Sequence, residues 1–116
     1  AKGFLVSSDD KQLISQLGLW KASGEEIILV GDFNKHVYIG PISCLLADNV
    51  IRMTEQCFVA NGVHLPRNYS HGTGMRPIDA VFAMPGITTV HATALLFHHG
   101  VGDHRCFIVD FSADSV

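Results

Sequence analysis

Asp32 and Asn34 stand two residues apart in Gly31-Asp32-Phe33-Asn34, directly after the apolar run Ile27-Ile28-Leu29-Val30. If that run is a strand, alternation puts both polar side chains on one side and turns Phe33 to the other. A carboxylate and a carboxamide so placed can jointly grip a water, a metal ion or a phosphate oxygen. They can equally close the strand as an Asx turn. Asp79 poses a sharper problem, because it lies within Pro77-Ile78-Asp79-Ala80-Val81-Phe82. An unpaired carboxylate in an apolar strand is costly, so it requires a partner, and a His or Arg is the obvious kind. Arg76 could supply an ion pair that only holds the fold. Gly102-Asp103-His104-Arg105 opens another strand-like segment, and adjacent Asp and His can work as an acid/base or metal-binding pair. Alone it could be a solvated turn.

Each of these groups falls at an expected junction of strand and loop. Brought together, Asp32, Asn34, Asp79, Asp103 and His104 would make an oxygen-rich site for Mg²⁺ or Mn²⁺ rather than a zinc site. Other residues offer less. His71 lies in a Gly-rich loop leading to Arg76, which makes both candidates for substrate contact. His64, His91, His98 and His99 read as ordinary surface or loop imidazoles. No Ser has a nucleophile-elbow setting, and Gly72 and Gly74 lack the Lys-Ser/Thr of a nucleotide P-loop.

The elements that must position these groups follow from periodicity. Ser7 or Ser8 can cap a helix with Asp9 and Asp10 in its first turn. Leu13, Ile14 and Leu17 form its apolar stripe, and Gly18 is the expected stop. Glu26 to Val30 reads as a buried strand, and Phe4 to Val6 as a short one. Pro41 is placed in a loop. Leu45, Leu46, Val50, Met53 and Cys57 share one helical face, so a single helix is expected from about Ile42 to Ala60, ended by Asn61-Gly62. Pro66 to Gly74 is loop. Strands are expected over Ile78 to Met84, Thr88 to Phe97 and Arg105 to Phe111. The order predicts an α+β domain with a mixed, mostly antiparallel sheet and helices on one face.

Composition sets limits. The 116 residues are 47% hydrophobic and 16% charged, a balance that excludes disorder and is apolar for so short a chain. Apolar faces that pack on further protein would account for this, as would a tightly packed small domain. A net charge of −3 gives no support for broad, non-specific attraction to nucleic acid, although the seven His soften this, so a polyanion would have to be met by a metal ion or a local positive site. Cys44, Cys57 and Cys106 lack any zinc spacing and read as free, core-facing thiols in an intracellular compartment, nucleus or cytoplasm. No run approaches the roughly 18 apolar residues of a membrane span. The opening AKGFLVSSDD has neither an initiator Met nor a signal-peptide run, and we expect a fragment of a longer protein.

Taken in order, ILVGDFN at 28–34, RPIDAVF at 76–82 and GDHRCFIVDF at 102–111 resemble the last three motifs of the endonuclease/exonuclease/phosphatase superfamily, the group of DNase I. The resemblance covers nearly the whole chain but about half of a typical family domain. It implies that residues 1–116 are the carboxy-terminal half of a four-layer α/β/β/α sandwich whose amino-terminal half, with its metal-binding Glu, is absent. It further implies hydrolysis of phosphate esters with Mg²⁺ or Mn²⁺. Asp32 would orient or deprotonate the attacking water, Asn34 would hold it, Asp79 would fix His104, His104 would donate to a phosphate oxygen, and Asp103 would bind the metal. Gly102 stands where the family usually has Ser, which removes one hydroxyl donor. The Arg76 segment is similar to endonucleases of non-long-terminal-repeat retroelements, implying DNA as substrate. An inositol-phosphate or phospholipid phosphatase of the same superfamily is the alternative, and a non-catalytic remnant or interaction module a third reading.

Overall fold

The computed structural model describes residues 8–33, 36–48, 50–65, 77–95 and 104–115. Within them lies a small mixed α/β domain. Its elements are helix α1 (Ser8–Ala22), strand β1 (Ile28–Asp32), helix α2 (Pro41–Leu46), strand β2 (Thr54–Glu55), helix α3 (Gln56–Asn61), strands β3 (Asp79–Ala83), β4 (Thr89–Ala94) and β5 (Phe107–Phe111), and a final 3-10 turn, Ala113–Ser115. The segment Phe4 to Val6 falls outside the described residues.

Leu17 of α1 is fully buried, with Leu13 and Ile14 packed against the same core. The helix does not stop at Gly18 but continues to Ala22. A glycine in a helix interior is tolerated at about 1 kcal/mol, and nothing at Gly18 reverses the chain. The stop comes from Gly24, whose φ of +85° suits a residue without Cβ. There Gly24 N–H donates to Lys21 O (3.0 Å) and Glu25 N–H to Trp20 O (3.1 Å), the paired bonds of a Schellman cap.

β1, β3 and β2 form an antiparallel sheet in the order β1-β3-β2. Every residue of β3 is buried, because it is the central strand. Among the described residues β1 is an edge strand, and it is not buried as its apolar run suggests: Val30 is 65% exposed. β4 and β5 pair antiparallel in a separate two-stranded ladder, with a register irregularity between Thr89 and His91. Among the described residues the last three strands are therefore not one meander. After β3 the chain turns at Met84, whose carbonyl accepts from Ile87 N–H, and β4 packs on α3 instead of pairing with β3. Asn61 ties the two by donating from Nδ2 to Ala92 O at 2.8 Å.

The helix expected over Ile42 to Ala60 is broken. α2 ends at Leu46, and the Asp48 carboxylate accepts from the N–H groups of Val50 and Ile51, both at 2.8 Å. This local bond competes with helical pairing. Arg52 then takes a positive φ of 56°, β2 forms, and α3 restarts under the Glu55 cap. Of the expected face, Leu46, Met53 and Cys57 reach the core, but Leu45 is not part of it and Val50 is exposed, because the turn brings Ile51 inward in its place. Pro41 begins α2 rather than lying in a loop, since its fixed φ and missing N–H suit the first helical position.

Gly62 ends α3 as expected, at φ 74° with its N–H donating to Phe58 O. An added Cβ would meet nothing within 4 Å, so only backbone strain opposes it. Gly62→Ala is expected to destabilise the domain by about 1 kcal/mol, read as a lower urea midpoint.

All three cysteines are free, yet only Cys57 is buried; Cys44 is exposed and Cys106 intermediate. Cys44 lies on the outer side of a short helix, where apolar context in sequence does not ensure burial. Burial, and then the Glu55 carboxylate, pushes the Cys57 thiol up to about 12. Cys44 is expected to react with a thiol reagent at pH 8 well over tenfold faster than Cys57. A raised folded-state value means that the protonated thiol contributes stability fully below its ordinary value of 9.0 and loses that contribution as pH climbs towards about 12.

Candidate functional site

Asp32 is the last residue of β1 and Asp79 the first of β3, and the antiparallel register places them directly opposite each other. Opposed residues of adjacent strands share a face, so two carboxylates meet at one end of the sheet. Phe33 turns away onto Phe82, with ring centroids 5.3 Å apart in an edge-to-face contact. The junction is fixed by two backbone bonds: Phe33 N–H donates to Ile78 O at 2.7 Å and Val37 N–H to Pro77 O at 3.0 Å.

Like charges opposite each other repel, and the group that sits against both carboxylates comes from 25 residues beyond Asp79. His104, at an isolated bridge before β5, engages the Asp79 carboxylate through Nδ1. Its Nε2 lies 4.0 Å from Asp32 Oδ2. Side-chain exposure rises along the row, from 12% for Asp79 to 37% for His104 and 42% for Asp32. Asp79 is therefore the anchored member and Asp32 the accessible one. The buried carboxylate in an apolar strand has its partner, and the partner is an imidazole.

One ligand atom from each of the three residues lies within 4.8 Å of the others. Two carboxylates and an imidazole so placed could coordinate a divalent cation. The structure thus brings together Asp32, Asp79 and His104. Asn34, His71, Arg76 and Asp103 lie outside the described residues, as do His98 and His99. His64 is exposed and stacks on Tyr38 at 3.9 Å, while His91 sits on the exposed side of β4.

Sequence reasoning passed over a second polar cluster. The buried Glu55 carboxylate accepts from Cys57 N–H (2.7 Å), Phe58 N–H (2.8 Å) and the Tyr38 hydroxyl (2.6 Å). Tyr38 Oη in turn accepts from Leu65 N–H at 2.6 Å. A Glu just before a helical apolar run was the available signal. Masked by the expectation of one long helix, it identifies a structural brace rather than a reactive group. No helix among the described residues is long and apolar enough to cross a membrane.

Comparison of the chain with protein-family models, with curated proteins and with solved structures finds no match. The functional reading therefore rests on the site itself and on the three sequence segments that carry it.

Proposed function

We propose that the chain belongs to the endonuclease/exonuclease/phosphatase superfamily, as the carboxy-terminal half of its four-layer sandwich, and that it contributes to Mg²⁺- or Mn²⁺-dependent hydrolysis of phosphate esters, with DNA as substrate. The observation that carries this reading is the row Asp79–His104–Asp32, assembled from three separate segments at one sheet end.

Asp79 accepts from the His104 ring and holds its orientation, stabilising positive charge there. A charged His104 presents Nε2–H to a non-bridging phosphate oxygen, where charge grows in the transition state. Asp32, 4.0 Å from that nitrogen, is placed to orient a water and accept its proton. Asn34 would hold the same water, and Asp103 would assist with the cation. Arg76 and His71 would contact substrate. When bound, the cation would polarise the phosphoryl group and shield its charge. The available donors fit such a hard cation through oxygen, supplied by the accessible Asp32 carboxylate.

The likeness of the Arg76 segment to retroelement endonucleases favours DNA. The net charge of −3 instead favours a small phosphorylated substrate, an inositol phosphate or a phospholipid headgroup. The free cysteines fit a reducing interior, nucleus or cytoplasm. The two substrates are separated by turnover with Mg²⁺, comparing supercoiled plasmid with inositol trisphosphate. Plasmid nicking without phosphate release supports the nuclease, and the reverse supports the phosphatase. Neither activity, with the protein folded, would move the reading to a non-catalytic module.

A further inference from the structure

We infer that the hollow between α2 and α3, walled by Tyr38, Phe58, Phe82 and Glu55, is a binding site for a small quaternary ammonium cation of choline type. It lies at the far end of β3 from Asp79, beside the Thr54–Ala83 and Glu55–Phe82 pairs, and it does not rest on the hydrolytic reading.

Size and lining set the first limits on a ligand. The cavity measures about 150 Å³, and apolar cavities of about that size hold molecules as large as benzene. A tetramethylated nitrogen has fewer non-hydrogen atoms than benzene. Val37, Met53 and Phe82 are buried at the base, while Thr54 and Phe58 are exposed at the rim, so a ligand enters from solvent past Phe58. The Tyr38 and Phe58 ring centroids are 6.4 Å apart with their planes at 67°. Two rings thus meet at an angle over a third, and a cation seated against ring faces is attracted by their electron-rich surfaces.

Glu55 supplies the charge. Its Oε1 accepts from the Tyr38 hydroxyl and Phe58 N–H, and its Oε2 from Cys57 N–H. Both oxygens act as acceptors, as those of an ionised carboxylate do. Burial, and then Glu55, keep the Tyr38 phenol and the Cys57 thiol protonated at neutral pH, so the negative charge here is that of Glu55. Its three donors are dipoles, and among the described residues that line the cavity none is basic. A buried carboxylate is costly without an opposite charge, and a cation in the hollow supplies one. Asp48 and Arg52 line an adjoining hollow that shares Ala47, Met53 and Thr54 with this one; being of opposite sign, they leave the balance to Glu55. The kind of cation follows from the hydrogen bonds. The carboxylate already has its donors, and Ser43 Oγ–H is turned to Gly40 O. An ammonium bearing N–H groups would lose water contacts that this largely apolar lining does not return. A quaternary nitrogen has no N–H to satisfy and is held through charge and ring faces alone.

The test is a ¹H–¹³C titration of the 116-residue chain with tetramethylammonium chloride and with choline, at constant ionic strength. The controls are ammonium chloride and the uncharged analogue of choline with carbon in place of nitrogen. Saturable shifts of the Met53 methyl and the Phe58 ring are expected, with a Kd on the order of 1 mM. Ammonium and the uncharged analogue should each bind at least about tenfold more weakly. Glu55→Gln keeps an acceptor oxygen and is expected to abolish the preference for choline over its uncharged analogue. Because Glu55 also braces the fold, Phe58→Leu at the rim is the second variant, with choline binding reduced about three- to tenfold and the uncharged analogue affected less. Phosphocholine binding more tightly than choline assigns the cation to a lipid headgroup, and weaker binding assigns it to a free cation; both uphold the pocket. Equal affinity of the wild type for choline and its uncharged analogue overturns the site. So does an unchanged preference in the folded variants, or the lack of a saturable shift at about tenfold the expected Kd.

Discussion

His104→Gln is expected to lower metal-dependent phosphate-ester cleavage by about 10²–10³-fold, the range for removing a donor aimed at charge that develops in the transition state. Gln is chosen over Ala for a physical reason. Removing the ring outright would leave the Asp79 carboxylate, one of two buried charged groups among the described residues, without its imidazole, at a cost of about 1–3 kcal/mol or more. An Ala variant would thus confuse lost chemistry with lost folding. A Gln amide can still donate to Asp79, but it cannot become a cation. The effect should fall on kcat more than on KM, because the contact strengthens as the transition state forms. Steady-state kinetics on the cleaved substrate, with the far-ultraviolet spectrum as a folding control, decides it. A folded variant with rates within about threefold of wild type would remove His104 from the chemistry.

Glu55→Ala is expected to be the most damaging single substitution for stability, at about 3–5 kcal/mol. Glu55 is 3% exposed, and its side chain caps α3 through two backbone N–H groups while accepting from Tyr38. Loss of a cap costs about 0.5–2 kcal/mol, and each donor left buried without an acceptor adds about 1–3 kcal/mol. Tyr38 also anchors Leu65 N–H, so the damage extends to the segment beyond α3. Against a total of about 5–15 kcal/mol for a domain, this is a large share of the stability. Glu55→Gln keeps one acceptor oxygen and should lose roughly half as much. Urea midpoints of the two variants test the ordering, and an unchanged midpoint in Glu55→Ala would contradict it. The same brace has an alkaline signature. Burial, and then Glu55, hold the Tyr38 phenol above its ordinary 10.0. Its contribution is complete below that value and is lost as pH rises beyond it.

The chemistry at this sheet end was partly legible in the sequence because Asp79 broke a local rule: a carboxylate inside an apolar strand demands a partner. That the partner is His104 was not derivable from spacing, since a contact across 25 residues leaves no local trace. It came instead from the order of three motifs. Asp32 was legible for a different reason, as the polar residue that ends an apolar run. What was lost lies in non-local choices. Whether β4 pairs with β3 or packs on α3 is decided by hydrogen-bond partners far apart in the chain. The split of the Ile42 to Ala60 segment turned on Asp48, whose side chain outcompeted helical bonds that the apolar spacing would have allowed. An edge strand and a central strand, β1 and β3, carry similar apolar runs and differ only in what lies beside them.

The proposed working centre of a metal-dependent phosphate-ester hydrolase is the trio Asp32, Asp79 and His104. Its most direct test is nicking of supercoiled plasmid in Mg²⁺ or Mn²⁺, with and without EDTA, by wild type and His104→Gln, in the 116-residue chain and in the product of its full reading frame. The expected result is metal-dependent formation of open circles in at least the full product, abolished by EDTA and reduced about 10²–10³-fold by the substitution. Folded protein that leaves the plasmid intact, or nicking that survives His104→Gln, would contradict the claim.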